Sequence, residues 1–256
     1  MTASPGRLEV GTQVRAVTFD ADGTLWDFEA AMRSGLAVVL AEIRRLAPGR
    51  ADGLTVEHMV SARDEAAAEL KRRGASLMDM RREGFRRVME SAGLRDGELK
   101  RRLVDAYVAS RIAATKPYPD VVPALELISE RWPIGVITNG NSDPEQCGLP
   151  GRFSFVITAE ECGFEKPDPR VFHVAAEKAG CLPHEVVHVG DKVATDVDGA
   201  LAAGATAVWL NRDRSTANAG QAHEIRSLTE LPGLLDRLSK LQDVGLGHAG
   251  EGSREQ

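Results

Sequence analysis

Short apolar runs alternate with amphipathic stretches along most of the chain. Five runs have the length and make-up of buried strands: 14–19 (VRAVTF), 134–138 (IGVIT), 155–157 (FVI), 186–189 (VVHV) and 206–210 (TAVWL). They are rich in β-branched or aromatic residues, and Gly, Asp or Asn follows most of them. Between the later runs lie helical patterns at 169–180 and 195–203. Strands that alternate with helices and read as continuous apolar runs predict an α/β fold with a parallel sheet.

The interval between the first two strands is different. From 28 to 115 the apolar spacing is helical throughout, in four stretches beginning AAMRSG, VEHMVS, LMDMRR and DGELKR. Four helices are too many for a crossover and predict a helical domain inserted after the first strand. The two prolines of KPYPD (116–120) mark the return. The expected domains are therefore 1–26 with 116–242, carrying the sheet, and 27–115, the helical insertion. The Gly-rich polar tail 243–256 is expected to be disordered. No internal repeat is present.

Composition narrows the picture. The chain has 256 residues, 43% of them apolar, enough for one large domain or a core with a smaller insertion. Its net charge of −6 gives no general attraction to nucleic acid or anionic membranes. Residues 27–115 carry 17 Lys/Arg against 14 Asp/Glu, so the remainder carries −9. That division suits an anionic substrate and a bound cation, and equally an ordinary Arg-rich helix surface. Cys147, Cys162 and Cys181 form no CxxC pair and read as reduced thiols. The first residues lack a basic start before an apolar run, and no stretch approaches 18 apolar residues. The expectation is a soluble cytoplasmic protein.

In open parallel sheets, ligands bind beyond the carboxyl ends of the strands. The residues found there are Asp20-Ala21-Asp22-Gly23-Thr24, then Thr138-Asn139-Gly140, then Gly190-Asp191 with Asp196 five residues on. The segment GFEKPDP (163–169) adds Lys166 before a helix. Two aspartates one residue apart have a chemical logic: Asp20 as carboxylate nucleophile toward phosphorus, Asp22 as general acid and then base. A phosphoryl group repels a carboxylate. The oxygens of Asp20, Asp191 and Asp196 suit octahedral Mg²⁺, and Lys166 supplies a compact positive charge. Thr138 and backbone amides near Asn139 are candidates for binding phosphate oxygens.

Together, FDADGTL (19–25), VITNGN (136–141), KPDP (166–169) and HVGDKVATDVDGA (188–200) resemble the four motifs of the haloacid dehalogenase superfamily. The resemblance covers about 14 to 211. It implies a Rossmann-like core with an α-helical cap inserted between the first two motifs. It further implies Asp20 as nucleophile, Asp22 as acid/base, Thr138 on phosphate and Lys166 steadying both. Asp191 is implied as the Mg²⁺ ligand, with Asp196 often acting through a metal-bound water and the Asp22 carbonyl a customary ligand. Two departures stand out: Lys192 where a small residue is frequent, and Ala21 where Leu or Met is frequent.

Asp22 separates the activities within that superfamily. A departing alkoxide needs a proton and a halide does not, and the family's dehalogenases resemble D-x-Y-G-T. Phosphoester hydrolysis is therefore expected ahead of dehalogenation. A phosphomutase would share both aspartates and the helical insertion, and it ranks behind because the insertion shows no signature for retaining a bisphosphate. The run from ITNGNSDPEQCGL to AVWLNRD resembles phosphatases of FMN and of the ribitylaminouracil phosphate, and also broad-specificity sugar-phosphate and nucleotide phosphatases. Trp26 and Phe28 offer either stacking on an aromatic ring or packing at the start of the insertion. Arg81, Arg82 and Arg86 are candidates for reaching substrate, or for a solvated helix face. His188, inside a strand, is expected to be a packed core histidine.

Overall fold

A computed structural model describes residues 13–240. In chain order the elements are β1 (Ala16–Phe19), α1 (Phe28–Leu46), α2 (Val56–Lys71), α3 (Leu77–Ser91), α4 (Gly97–Ala114), α5 (Val121–Ser129), β2 (Ile134–Thr138), β3 (Phe155–Thr158) and α6 (Ala159–Cys162). Then follow α7 (Pro169–Lys178), β4 (Val186–Gly190), a π-helical turn (Val193–Val197), α8 (Asp198–Ala202), β5 (Thr206–Leu210), β6 (His223–Ile225) and α9 (Leu231–Lys240). The chain forms two compact units. Among the described residues, one comprises 13–24, 119–139 and 151–240, and the other comprises 25–118 and 140–150.

The first unit is built on a six-stranded sheet in the order β3-β2-β1-β4-β5-β6, with every pairing parallel. Every residue of β1, β2 and β4 is buried, as expected of central strands covered on both faces. Chain order reverses direction at β1, which has β2 on one side and β4 on the other. A topological switch of this kind opens a crevice beyond the carboxyl ends of its strands. Val171, Phe172 and Ala175 of α7 and Ala200 of α8 pack with Ile137, Ile157 and Trp209 into one apolar cluster. The 3₁₀ turn 228–230 and α9 follow β6, and α9 packs against α5.

The sixth strand was not expected from its sequence. His223 and Glu224 are exposed and only Ile225 is buried, so no apolar run announces it. The second difference lies at 193–203, where a helix from 195 was expected. A π turn precedes α8, with the Val197 amide reaching back five residues to the Lys192 carbonyl. The expectation for 243–256 lies outside the described residues.

The second unit holds α1–α4 and the segment 140–150. All four helices begin at a side-chain cap: Asp27, Thr55, Ser76 and Asp96 each accept a hydrogen bond from a first-turn amide. On α1 the buried positions Met32, Leu36, Val39, Leu40 and Ile43 recur at helical spacing and form one stripe. That stripe joins Met59, Phe85, Val88, Met89, Leu103 and Tyr107 in a single apolar core. No described helix is long and apolar enough to cross a membrane.

Candidate functional site

The site is built at the ends of β1 and β4, and strand geometry explains its layers. Thr18 and His188 are register partners on neighbouring parallel strands. With a side-chain period of two, Asp20 continues the Thr18 face and Gly190 continues the His188 face. The lower layer is closed by a hydrogen bond of 2.9 Å between Thr18 Oγ1 and His188 Nδ1. In the upper layer Gly190 leaves a space that Asp196 fills. A Cβ at Gly190 would lie 2.3 Å from Asp196 Cγ. The π turn thus carries an aspartate back over its own strand end, and the Lys192 amide fixes Asp196 Oδ2 at 2.9 Å.

Lys166 is the centre of charge. Its Nζ lies 2.5 Å from Asp20 Oδ1 and 2.7 Å from Asp196 Oδ1, and all three side chains are nearly excluded from solvent. Asn139 places it from the backbone. The Asn139 amide donates to the Lys166 carbonyl at 2.8 Å, and Asn139 Oδ1 accepts from the Lys166 N–H at 2.7 Å. The Lys166–Pro167 peptide is cis. The Asn139 side chain is therefore committed to orienting Lys166, a role that the motif alone did not suggest.

Asp191 is half-buried on the other side of the turn. Trp209 Nε1 donates to its carbonyl at 2.9 Å. Thr24 Oγ1 approaches its carboxylate at 3.5 Å. Gly23 has φ +97°, and a Cβ there would lie 2.5 Å from Asp191 Oδ2, so this turn requires glycine on both counts. Arg212 donates to the Thr24 carbonyl at 3.1 Å and pairs with Asp120, which holds the far end of the Asp20–Thr24 turn. Asp22 is half-buried within that turn, and Thr138 is buried at the end of β2.

The electrostatics follow from burial. Burial, reinforced by Asp196 and Asp191 and opposed by Lys166, pushes the Asp20 carboxyl up to about 7. Burial also raises Asp191, with the Lys192 charge working against it. For Asp196 burial is outweighed by Lys166 and His188, which hold it below the usual carboxylate range. For Lys166 burial is outweighed by Asp20 and Asp196, which hold it above the usual range. Burial lowers His188 and favours its neutral form. The Lys192 side chain itself is exposed.

The residues fit a divalent cation. Asp20, Asp191 and Asp196 each offer a carboxylate oxygen within 4.8 Å of the others. Asp20 Oδ2 is buried with no hydrogen-bond partner, an arrangement costly for a carboxylate unless another charge meets it. Asp196 is different, since Lys166 pairs with one oxygen and the Lys192 amide binds the other.

The other candidates lie in the helical unit. Arg81 Nη2 donates to Asn141 Oδ1 at 2.7 Å. Arg82 pairs with Asp79, and Arg86 with Glu83 and Glu90, on the solvated helix face. Trp26 is fully buried, and its backbone bridges to Pro117. Phe28 packs against the helical core under the guanidinium of Arg111 at 5.4 Å. The three cysteines form no disulfide with one another. Thr18, Trp209 and Arg212 were not singled out from the sequence. The signal available for Thr18 was its place two residues before Asp20 in the same strand.

Fold and strand ends together define an α/β protein with carboxylates and a lysine gathered at the ends of its central strands. Residues 14–204 match the haloacid dehalogenase-like hydrolase family, and the chain belongs to it. It is 31% identical to the 5-amino-6-(5-phospho-D-ribitylamino)uracil phosphatase YigB of Escherichia coli, over 77% of this chain and 84% of that protein. It is 35% identical to a glyceraldehyde 3-phosphate phosphatase of Methanopyrus kandleri, over 55% of this chain and 61% of that one. Among solved structures, a 2-haloacid dehalogenase from Pseudomonas syringae pv. Tomato DC3000 has a TM-score of 0.72 and 32% identity, covering 88% of this chain and 99% of that one. Phosphatases and dehalogenases both stand among these relatives, and the named phosphatases support a phosphomonoesterase.

Proposed function

We propose that the protein is a phosphomonoesterase that hydrolyses small phosphorylated metabolites through an aspartyl-phosphate on Asp20. The observation that carries this is the state of the Asp20 carboxylate. One oxygen is held by Lys166 at 2.5 Å, and the other is buried without a partner, oriented rather than solvated. Asp22, two residues on, supplies the proton that an alkoxide needs on leaving and a halide does not.

The substrate phosphate is bound by Lys166, by Thr138 and by amides near Asn139. Asp20 attacks phosphorus and Asp22 protonates the departing oxygen. Asp22, now a carboxylate, accepts a proton from water as that water cleaves the acyl phosphate and frees Asp20. Asp20, Asp191 and the Asp22 carbonyl, with Asp196, would hold Mg²⁺. When bound, the ion offsets the charge repulsion between phosphate and carboxylates. Asp196 serves Lys166 first, because both its oxygens are already engaged.

The first substrate to try is the phosphoribitylamino-uracil hydrolysed by the Escherichia coli relative, followed by FMN. Phosphate release is measured over a panel that adds sugar phosphates, nucleoside monophosphates and a 2-chloroacid. Mg²⁺-dependent release from a phosphate ester, abolished in Asp20→Asn, supports the reading, and the highest kcat/KM names the substrate class. Chloride release without phosphate release would make the protein a dehalogenase instead. Asp22→Asn is expected to lower kcat by about 10²–10⁴ on alkyl phosphates. It should lower it much less on an aryl phosphate, whose leaving group needs no proton.

A further inference from the structure

His188 is the buried titratable side chain at the site to which the proposed reaction gives no task. It is 1% exposed, and it lies directly beneath the pair on which Lys166 depends. Its Nδ1 meets Thr18 Oγ1 at 2.9 Å, and its Nε2 faces Asp196 Oδ1 at 3.5 Å, an electrostatic approach rather than a hydrogen bond. Phe172 fixes the ring edge-on, with centroids 5.0 Å apart. The same Asp196 oxygen stands 2.7 Å from Lys166 Nζ, which reaches Asp20 at 2.5 Å. Thr18, His188, Asp196, Lys166 and Asp20 thus form one buried line from the body of the sheet to its edge.

A carboxylate accepts hydrogen bonds and cannot donate them, so the His188 nitrogen facing Asp196 must carry the hydrogen if the approach is to be attractive. In the neutral ring that assigns the hydrogen to Nε2 and leaves Nδ1 as acceptor. Thr18 Oγ1 then donates to it, because a hydroxyl can serve in either role. The Asp196 carboxylate selects the tautomer, Thr18 accommodates it as donor to Nδ1, and the ring presents an N–H dipole to Asp196. With Nδ1 protonated instead, a lone pair would face the carboxylate and oppose its position.

We infer that His188 is a positioning residue for the hydrolytic reaction, with its tautomer set by Asp196 and its Nδ1 seated by Thr18. It holds Asp196 where Asp196 can hold Lys166 against Asp20. No atom of His188 touches substrate. Outer partners of this kind typically contribute about 10–100-fold to activity. The catalytic part of this inference rests on the phosphatase reading above, whereas the tautomer does not.

The test has two arms. In the first, ¹⁵N resonances of the His188 ring are recorded in labelled metal-free protein. The expected result is a protonated Nε2 and an unprotonated Nδ1, and the opposite tautomer overturns the inference whether or not any phosphate ester is a substrate. In the second, His188→Phe keeps the ring against Phe172 and removes the N–H. It should lower kcat about 10–100-fold at unchanged KM. His188→Gln, which restores an N–H donor, should recover part of that loss. Thr18→Val is the milder change should the phenylalanine variant misfold, and it should lower kcat in the same way. Combined with His188→Phe it should cost nothing more, because Thr18 acts only through His188. Wild-type kcat in folded His188→Phe overturns the inference, as does a loss that glutamine leaves wholly unrecovered.

Discussion

The two units use charge in opposite ways. In the helical unit the ion pairs are mostly exposed and local, as in Arg86 with Glu83 and Glu90 or Arg101 with Glu98. Among the described residues its one fully buried charged side chain is Arg111, which donates to Ser142 Oγ at 2.7 Å. The sheet unit buries Asp20, Lys166 and Asp196 together, beside half-buried Asp191. Burying a pair of charges is seldom favourable against an apolar alternative, so this cluster is poor evidence of a stability device. Charged groups held at fixed positions out of water suit the catalytic role proposed above.

The sharpest challenge to this contrast is Asp20→Asn, expected to lower phosphatase turnover by at least about 10³-fold. It should do so without lowering stability above neutral pH in the absence of metal. The sign follows from the raised Asp20 carboxyl. Its folded value of about 7 lies above the unfolded one, so its stabilising effect is complete below about pH 4 and lost as pH rises through 7. Thermal unfolding of metal-free wild type should therefore weaken over that window relative to Asp20→Asn, and added Mg²⁺ should flatten the difference. A wild type less stable at pH 4 than at pH 8, relative to the variant, would contradict the assignment.

Gly190→Ala is next. Its Cβ would collide with Asp196, and the displaced carboxylate would release Lys166. Overpacking of this kind typically costs about 1–3 kcal/mol, and turnover should fall with it. Chemical denaturation and kcat on the same preparation test both. Asp120→Asn reaches outside the site. Asp120 accepts from Arg212, Ser227 Oγ and the Leu228 amide. Burial is outweighed by these partners, which hold its carboxyl below the usual range. Its contribution is therefore present above about pH 4 and lost as pH falls through the folded value. The variant should be destabilised by about 1–3 kcal/mol at neutral pH, with a weaker dependence on acid. The smallest effect belongs to the helical unit. Arg101→Ala, which removes exposed pairs to Glu98 and Asp105, should leave the unfolding midpoint unchanged within error.

Much of the architecture was legible because its causes are local. The four helices of 28–115 show their stripes and their capping residues within their own windows. The central strands show as apolar runs because both their faces are covered. β6 left no such trace, because a short strand with two exposed residues needs no apolar pattern. The segment 140–150 groups with the helices through contacts such as Arg111 with Ser142, which are distant in sequence.

The same division runs through the site. By itself the sequence determined which groups are present: aspartates after the first and fourth strands, a lysine before a helix, a threonine at the end of the second, and glycines where turns are tight. Strand alternation is local, so the sequence also determined that they lie at strand ends. Only the tertiary structure decided how they share the work. It turned the Asn139 side chain onto the Lys166 backbone and swung Asp196 over Gly190 by a π turn. It also set His188 against Thr18 through the register of two strands 170 residues apart. Those assignments depend on sheet order, register and the space left by a missing side chain, and none of these is encoded within a short window of chain.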